Sequence, residues 1–239
     1  MSRSIFIYTT TVSLVGFAIV LWALTHFTAY WPGFLVFAGL AVVAEWTNVE
    51  LLPISRSRVS VSSVIAMASI LLFGPLGGVL IHTISGVTTA LTTTLQSTNL
   101  KQKNRASLLQ RTGFNIGMFV TSIAVAGFVY IAVGGSVDQV AKITNVIPLI
   151  LAVTTDYVIN IGLLVGVIAL QTQSAPLNIW KENFLWTAPI ATIGAAIGSA
   201  TLGLGYQFYH FYGVMLFLIP GLLIRYSYKL NVGRKNRVV

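Results

Sequence analysis

Asp156 is the ionisable side chain placed deepest in an apolar stretch. It falls near the middle of the run 144–171, beside Thr155 and one helical turn before Asn160. Residues four apart share a helix face, so a helix here would show a carboxyl and a carboxamide to one neighbour. A charge at the centre of a membrane helix costs about +2.5 to +3.5 kcal/mol on insertion scales. Such a group is either used, as a ligand-contacting or proton-sensing carboxylate, or it ties helices together. Glu45 and Asn48, three residues apart, repeat the pattern, and His82 and Asn115 add polar groups on two further segments. If the faces carrying Glu45, His82, Asn115, Asp156 and Asn160 converge, they make a small polar pocket inside an apolar bundle, the usual anatomy of a ligand site. If they do not, each is a local interhelical hydrogen bond.

His82 is followed by Ser85, Thr88, Thr89, Thr92, Thr93 and Thr94. Such a face can line a channel, or its hydroxyls can bond back to their own helix. Glu50 closes a segment before Pro53, within reach of Arg56 or Arg58 as a boundary ion pair. His26 and His210 sit among Phe27, Tyr30, Trp31, Tyr206, Tyr209 and Tyr212, which fit an interfacial aromatic belt better than a haem site. There is no Gly-x-x-x-x-Gly-Lys-Ser/Thr loop, no His-Glu-x-x-His, no Gly-x-Ser-x-Gly and no cysteine. Classical hydrolases, nucleotide-driven motors, zinc enzymes and thiol chemistry lose their support. The expectation is a protein that is not an enzyme and carries neither metal nor cofactor.

The elements that hold these residues follow from composition. Of 239 residues, 56% are hydrophobic and 8% charged, and the mean hydropathy is +0.85. About 25% charge is usual for a soluble domain; so few charges cannot coat a water-soluble surface. Apolar runs at 6–27, 32–52, 112–134, 144–171, 184–203 and 206–228 are each close to the roughly 20 residues that span hydrocarbon. The stretch from Val59 to Gln96 is uncharged and too long for one span. Gly74-Pro75-Leu76-Gly77-Gly78 breaks it into two helices, the first short enough to re-enter instead of spanning. The expected fold is therefore all-α, a polytopic transmembrane bundle of about eight membrane segments with both termini cytoplasmic. Residues 1–230 form the membrane domain and 231–239 a basic cytoplasmic tail.

Net charge is +9, from 14 Lys and Arg against 5 Asp and Glu. The basic residues occupy the breaks between runs, and eight crossings put all but Lys142 on one side, as the positive-inside rule asks. Nucleic-acid binding is excluded, since phosphate tracking needs a continuous basic surface. Pro189 and Pro220 lie inside apolar runs as candidate kinks. Gly74/Gly78, Gly113/Gly117, Gly162/Gly166 and Gly194/Gly198 are small-residue pairs that allow close helix approach, within the chain or to a second copy. Arg225, Lys229, Arg234, Lys235 and Arg237 suit anionic lipid, at about 1 kcal/mol per basic residue near the surface, or a separate cytoplasmic or membrane partner.

Glu50-Leu51-Leu52-Pro53, Val59-Ser60-Val61-Ser62, Leu72-Phe73-Gly74-Pro75, Phe114-Asn115, Tyr157-Val158-Ile159-Asn160, Trp180-Lys181-Glu182-Asn183, and Pro220 with Arg225-Tyr226-Ser227-Tyr228 follow one another in an order that is informative. In this order they resemble the N-terminal membrane sensor region of bacterial HD-GYP-type phosphohydrolases and diguanylate cyclases, over about Arg3 to Lys229. The resemblance implies a module of the bacterial cytoplasmic membrane that elsewhere precedes a cytoplasmic output domain. No HD or GGDEF-type residues are present here, so it implies the module without the enzyme. The expected function is a stand-alone sensor-like or ligand-binding module. The alternatives are a small-solute binding or transport subunit resembling vitamin-uptake substrate-binding components, and a structural subunit of a membrane complex.

Overall fold

The computed structural model describes residues 2–28, 31–46, 61–96 and 105–235, whose regular structure is all helical. In chain order the helices are α1 (Arg3–His26), α2 (Trp31–Trp46), α3 (Val61–Gln96), α4 (Arg105–Ala132), α5 (Val146–Thr172), α6 (Pro176–Asn183) and α7 (Ala188–Lys235), with a 3-10 turn at Ile143–Asn145. Five stretches are long and apolar enough to cross a membrane: Arg3–His26, Val61–Thr92, Leu109–Ala132, Ile143–Thr172 and Ala188–Phe217; α2 is apolar but shorter. Large side chains such as Phe17, Leu35, Ile147 and Ile197 stand exposed around the bundle. Only lipid can cover so much apolar surface. The chain is a multi-pass integral membrane protein.

The α3 helix occupies the centre and packs against α1, α2, α4 and α7. Of its most apolar stretch 83% is buried, against 17% for those of α1 and α7, so α3 is apolar all round because protein surrounds it. It breaks where the sequence places the break. Gly74 has φ 80 and ψ 178, a backbone open to glycine and costly for other residues. Beyond it the second arm folds back on the first. A Cβ on Gly78 would lie 3.0 Å from the Ala66 carbonyl oxygen and against Ile70. The first arm, 61–73, is about 20 Å long at 1.5 Å per residue, shorter than the roughly 30 Å of hydrocarbon.

Pro75 has a second consequence. In an unbroken helix the Leu71 carbonyl would accept from the N–H of residue 75, and proline has none. Asp138, in the loop between α4 and α5, supplies its own backbone N–H to Leu71 O at 2.8 Å. That loop is tightly tied. Asn145 is buried, accepts from Ser136 N (2.8 Å) and donates to the carbonyls of Ser136 (3.2 Å) and Gln139 (2.7 Å). Tyr130 donates to Ser136 O, and Gln207 of α7 donates to Asp138 O.

The α7 helix also turns back, but not at the 203–206 break read from the apolar runs. The non-helical residue is His210, with φ 49 and ψ −128. Gly203 instead packs on Val140 and Leu71, and Gly205 meets Gly213 backbone to backbone across the turn. Glycine there serves close approach of the two arms rather than the break itself. Pro189 is the second residue of α7, where its missing N–H costs nothing, so it produces no kink. Two boundaries also differ from the apolar runs. The α4 helix begins at Arg105 instead of 112, because a helix continues past the hydrocarbon it must span. Residues 176–183, read as a break, form the amphipathic α6 behind Pro176.

Elsewhere the seams are made by small residues. Gly16 and Gly117 bring the backbones of α1 and α4 together, and a Cβ on Gly117 would be 2.9 Å from Ser13 Cα. Of the four glycine pairs, Gly113/Gly117 has both members seated on a neighbouring helix, whereas Gly162 and Gly194 face open space.

Candidate functional site

Glu45, on α2, is buried, and its carboxylate accepts from Thr89 Oγ1 of α3 at 2.7 Å. Asp156, on α5, is buried beside Ser122 of α4, and its Oδ1 has no hydrogen-bond partner. His82, on the second arm of α3, is fully buried and stacks on Phe119 of α4, centroids 5.0 Å apart and planes 14° apart. Neither ring nitrogen of His82 has a partner, and Ser85 Oγ, one turn along the same arm, has none either. Asn115 is exposed on α4, and Asn160 is half-buried on α5.

The five candidates therefore divide. Glu45 makes a local α2–α3 tie, seven residues along α3 from His82 and so about 10 Å away along the axis. His82 and Asp156 meet α4 at Phe119 and Ser122, three residues apart and neighbours on one helix face. Arg225, Lys229, Arg234 and Lys235 lie on the second arm of α7, which runs helically to Lys235; Arg237 lies outside the described residues. So do Asn48, Glu50, Pro53, Arg56, Arg58 and Tyr30.

Three threonines of the face following His82 lie against carbonyls of their own helix. Thr88 donates to Ile84 O and Thr92 to Thr89 O, while Thr89 Oγ1 lies 3.0 Å from Ser85 O as well as 2.7 Å from the Glu45 carboxylate. Part of the aromatic group is packing rather than belt: Phe27, Phe34, Phe37, Phe73 and Tyr206 interlock where α3 and α7 turn, with ring centroids 4.8–6.3 Å apart. Tyr209 and Tyr212 are exposed, as a belt requires. Among the described residues no group of three or more His, Cys, Asp or Glu could hold a metal ion.

Phe119 and Ser122 were not among the sequence candidates, and Ser85 and Thr89 were named only as part of the hydroxyl face that follows His82. The signal that finds them is spacing: Ser85 and Thr89 lie three and seven residues after His82, within about 60° on a helical projection. A separate apolar groove of about 310 Å³ lies between α5 and α7, lined by residues including Leu149, Ile150, Ile193 and Ala196. It opens among exposed apolar side chains.

These features define a class, the multi-span all-α membrane protein with polar groups buried at mid-bundle and no classical catalytic or metal-binding motif. No protein family, no curated protein and no solved structure matches the chain.

Proposed function

We propose that the chain is a non-catalytic, sensor-like membrane module that binds a small ligand within its bundle and passes the change along α7. The observation that carries this reading is the set of buried polar atoms that no neighbour satisfies: both His82 ring nitrogens, Ser85 Oγ, Thr121 Oγ1 and Asp156 Oδ1. Unpaired polar groups cost about 1–3 kcal/mol each, and ionisable groups inside membrane bundles mark ligand, ion or proton pathways. The ordered motifs resembling membrane sensor regions support the sensing half of the proposal. The continuous helix of α7 beyond His210 is a mechanical route from the bundle to Arg225, Lys229, Arg234 and Lys235, which would hold anionic lipid or a separate partner.

In this reading both arms of α3 and of α7 count as membrane segments, giving eight. Both ends then face the cytoplasm, with the basic connectors inside, as in a bacterial cytoplasmic membrane. The test is thermal-shift screening of the purified protein with vitamins, lipids and quinones. A compound that stabilises the wild type but not Asp156→Asn supports the reading; equal stabilisation of both removes Asp156 from the site.

A transport subunit is the second reading. The breaks at Gly74 and His210 favour it, because discontinuous helices commonly build transporter binding sites. Vesicle uptake dependent on a partner ATPase would establish it over sensing.

A further inference from the structure

The groove between α5 and the first arm of α7 has the opposite chemistry to the polar middle of the bundle. Its α5 wall is Val146, Leu149 and Ile150, and its α7 wall runs along Thr192, Ala196 and Ala200. No ionisable residue lies between 146 and 150 or between 192 and 200. The one hydroxyl in the lining, on Thr192, donates to Ala188 O at 2.7 Å. A ligand here meets hydrocarbon alone. The edges run straight into the lipid-covered surface of the bundle, through Ile147 and Ile150 on α5 and Ile190, Ile193 and Ile197 on α7, all of them exposed.

The shape is fixed and narrow. Val146, Ile150, Ile193 and Ile197 are β-branched, and in a helix Val and Ile keep one χ1 rotamer about 90% of the time, so the walls are set before anything enters. Thr192, Ala196 and Ala200 are four apart and share a face, which makes the groove run along the helix axis for about 12 Å. Spread over that length, its roughly 310 Å³ amounts to a channel on the order of 25 Å² in section. An α-helix is at least about 10 Å across, or roughly 80 Å². A helix of a second copy therefore cannot enter. A single hydrocarbon chain, whose carbons keep their neighbours about 4 Å away, fills a channel about 5 Å wide.

The position fits one leaflet. Gly203, three residues beyond Ala200, packs on Val140 of the loop between α4 and α5, and Val146 opens α5 directly after that loop. The groove thus starts at the loop end and descends about 12 Å, within the roughly 15 Å that half of the hydrocarbon layer provides. Lys142 stands in that loop, exposed and four residues ahead of Val146. It places a cation at the end of α5 where the phosphate of a lipid would lie if one of its chains filled the groove. The loop's other charge, Asp138, is four residues further from α5.

We propose that this groove binds one acyl chain of a membrane phospholipid from the leaflet on the side of the α4–α5 loop, with Lys142 at the lipid phosphate. A seated chain fills the seam and ties α5 to the first arm of α7 along a stretch where their own side chains leave a gap. The site is separate from His82 and Asp156 and does not rest on the reading of those groups.

The test is photolabelling of the full chain in phosphatidylglycerol vesicles that contain a phosphatidylglycerol with a diazirine on one acyl chain, followed by peptide mapping. The expected result is labelling of 146–150 and 192–200 several-fold above that around Leu14 and Phe17 of α1, which are as exposed as Ile193 and Ile197 and report contact with bulk lipid. Ala196→Phe, which fills the groove, should abolish the excess and leave the α1 signal unchanged. Ile150→Phe fills it from the α5 side and serves if Ala196→Phe does not fold. Lys142→Gln should reduce the excess as well, and an unchanged excess there would overturn the phosphate contact. The proposal as a whole is overturned if the groove and α1 label alike, or if a folded filling variant labels as the wild type does. The chain has no cysteine, so Ile193→Cys reports the rival occupant. It should stay monomeric under oxidation, and a disulfide-linked dimer would assign this face to a second copy instead.

Discussion

The two ends of the α3–α4 seam treat polar groups in opposite ways. Where α3 turns back, the carbonyl that Pro75 leaves without a donor finds one in the loop. The Leu71 carbonyl takes the Asp138 N–H, and Asn145 makes three hydrogen bonds within the loop. A few turns further on, His82 and Ser85 of α3 and Asp156 of the neighbouring α5 hold polar atoms with no partner. The first arrangement is what stability selects, since buried polar groups are ordinarily satisfied. The second lowers stability, and proteins keep such groups where function needs them. The turn end and the polar middle should therefore respond to substitution with opposite signs.

The largest effect is expected at Asn145. Replacing it with Leu removes three hydrogen bonds of 2.7–3.2 Å and leaves the Ser136 N–H and Gln139 carbonyl without their partner. A loss of about 3 kcal/mol follows from the cost of several unmade buried bonds. Heat or SDS unfolding in detergent micelles measures it. A change under about 1 kcal/mol would mean that the loop is not what fastens the turn end, and the contrast would fail.

His82→Leu should move the other way. The substitution removes two unsatisfied nitrogens, worth about 1–3 kcal/mol each, and forfeits the stack on Phe119, worth about 0.5–1.5 kcal/mol. The net expectation is a gain of about 1 kcal/mol in the same unfolding assay. A destabilised His82→Leu would instead show that the imidazole is a structural tie, and the middle of the bundle would obey the same rule as its end.

Much of this arrangement could be read from the residues alone, and the remainder fails for identifiable reasons. Gly74-Pro75 announces its own break, because one residue tolerates positive φ and the next lacks a donor. Asp156 and Glu45 announce burial, because their segments are too apolar to leave them in water. Which neighbour each meets is a matter of helix rotation, and Asn115 lies exposed because the face toward α1, carrying Gly113 and Gly117, is set by backbone approach. The turn at His210 has neither glycine nor proline at the break. Its trace is the pair Gly205 and Gly213, one on each side of the break, which permits the arms to touch. Pro75 also predicts that some donor must serve Leu71, but nothing local to residues 71–75 says that it comes from residue 138. A donor 67 positions away along the chain is a product of tertiary packing.

The smallest effect sharpens that last point. Asp138 is exposed and has φ 59, a left-handed conformation that Asp and Asn tolerate better than other side chains. What it contributes to the turn is its backbone N–H, not its carboxylate. Asp138→Asn and Asp138→Gly keep that N–H and the conformation, so both should stay within about 0.5 kcal/mol of the wild type. Asp138→Val keeps the N–H but disfavours positive φ, and should cost about 1–2 kcal/mol. Unfolding midpoints ordered as Gly and Asn near wild type, Val below, would assign the clasp on Leu71 to the main chain. If Asp138→Asn fell as far as Asn145→Leu, the carboxylate would be what holds the loop, and the satisfied end of the molecule would owe its stability to charge rather than to the donor that Pro75 withholds.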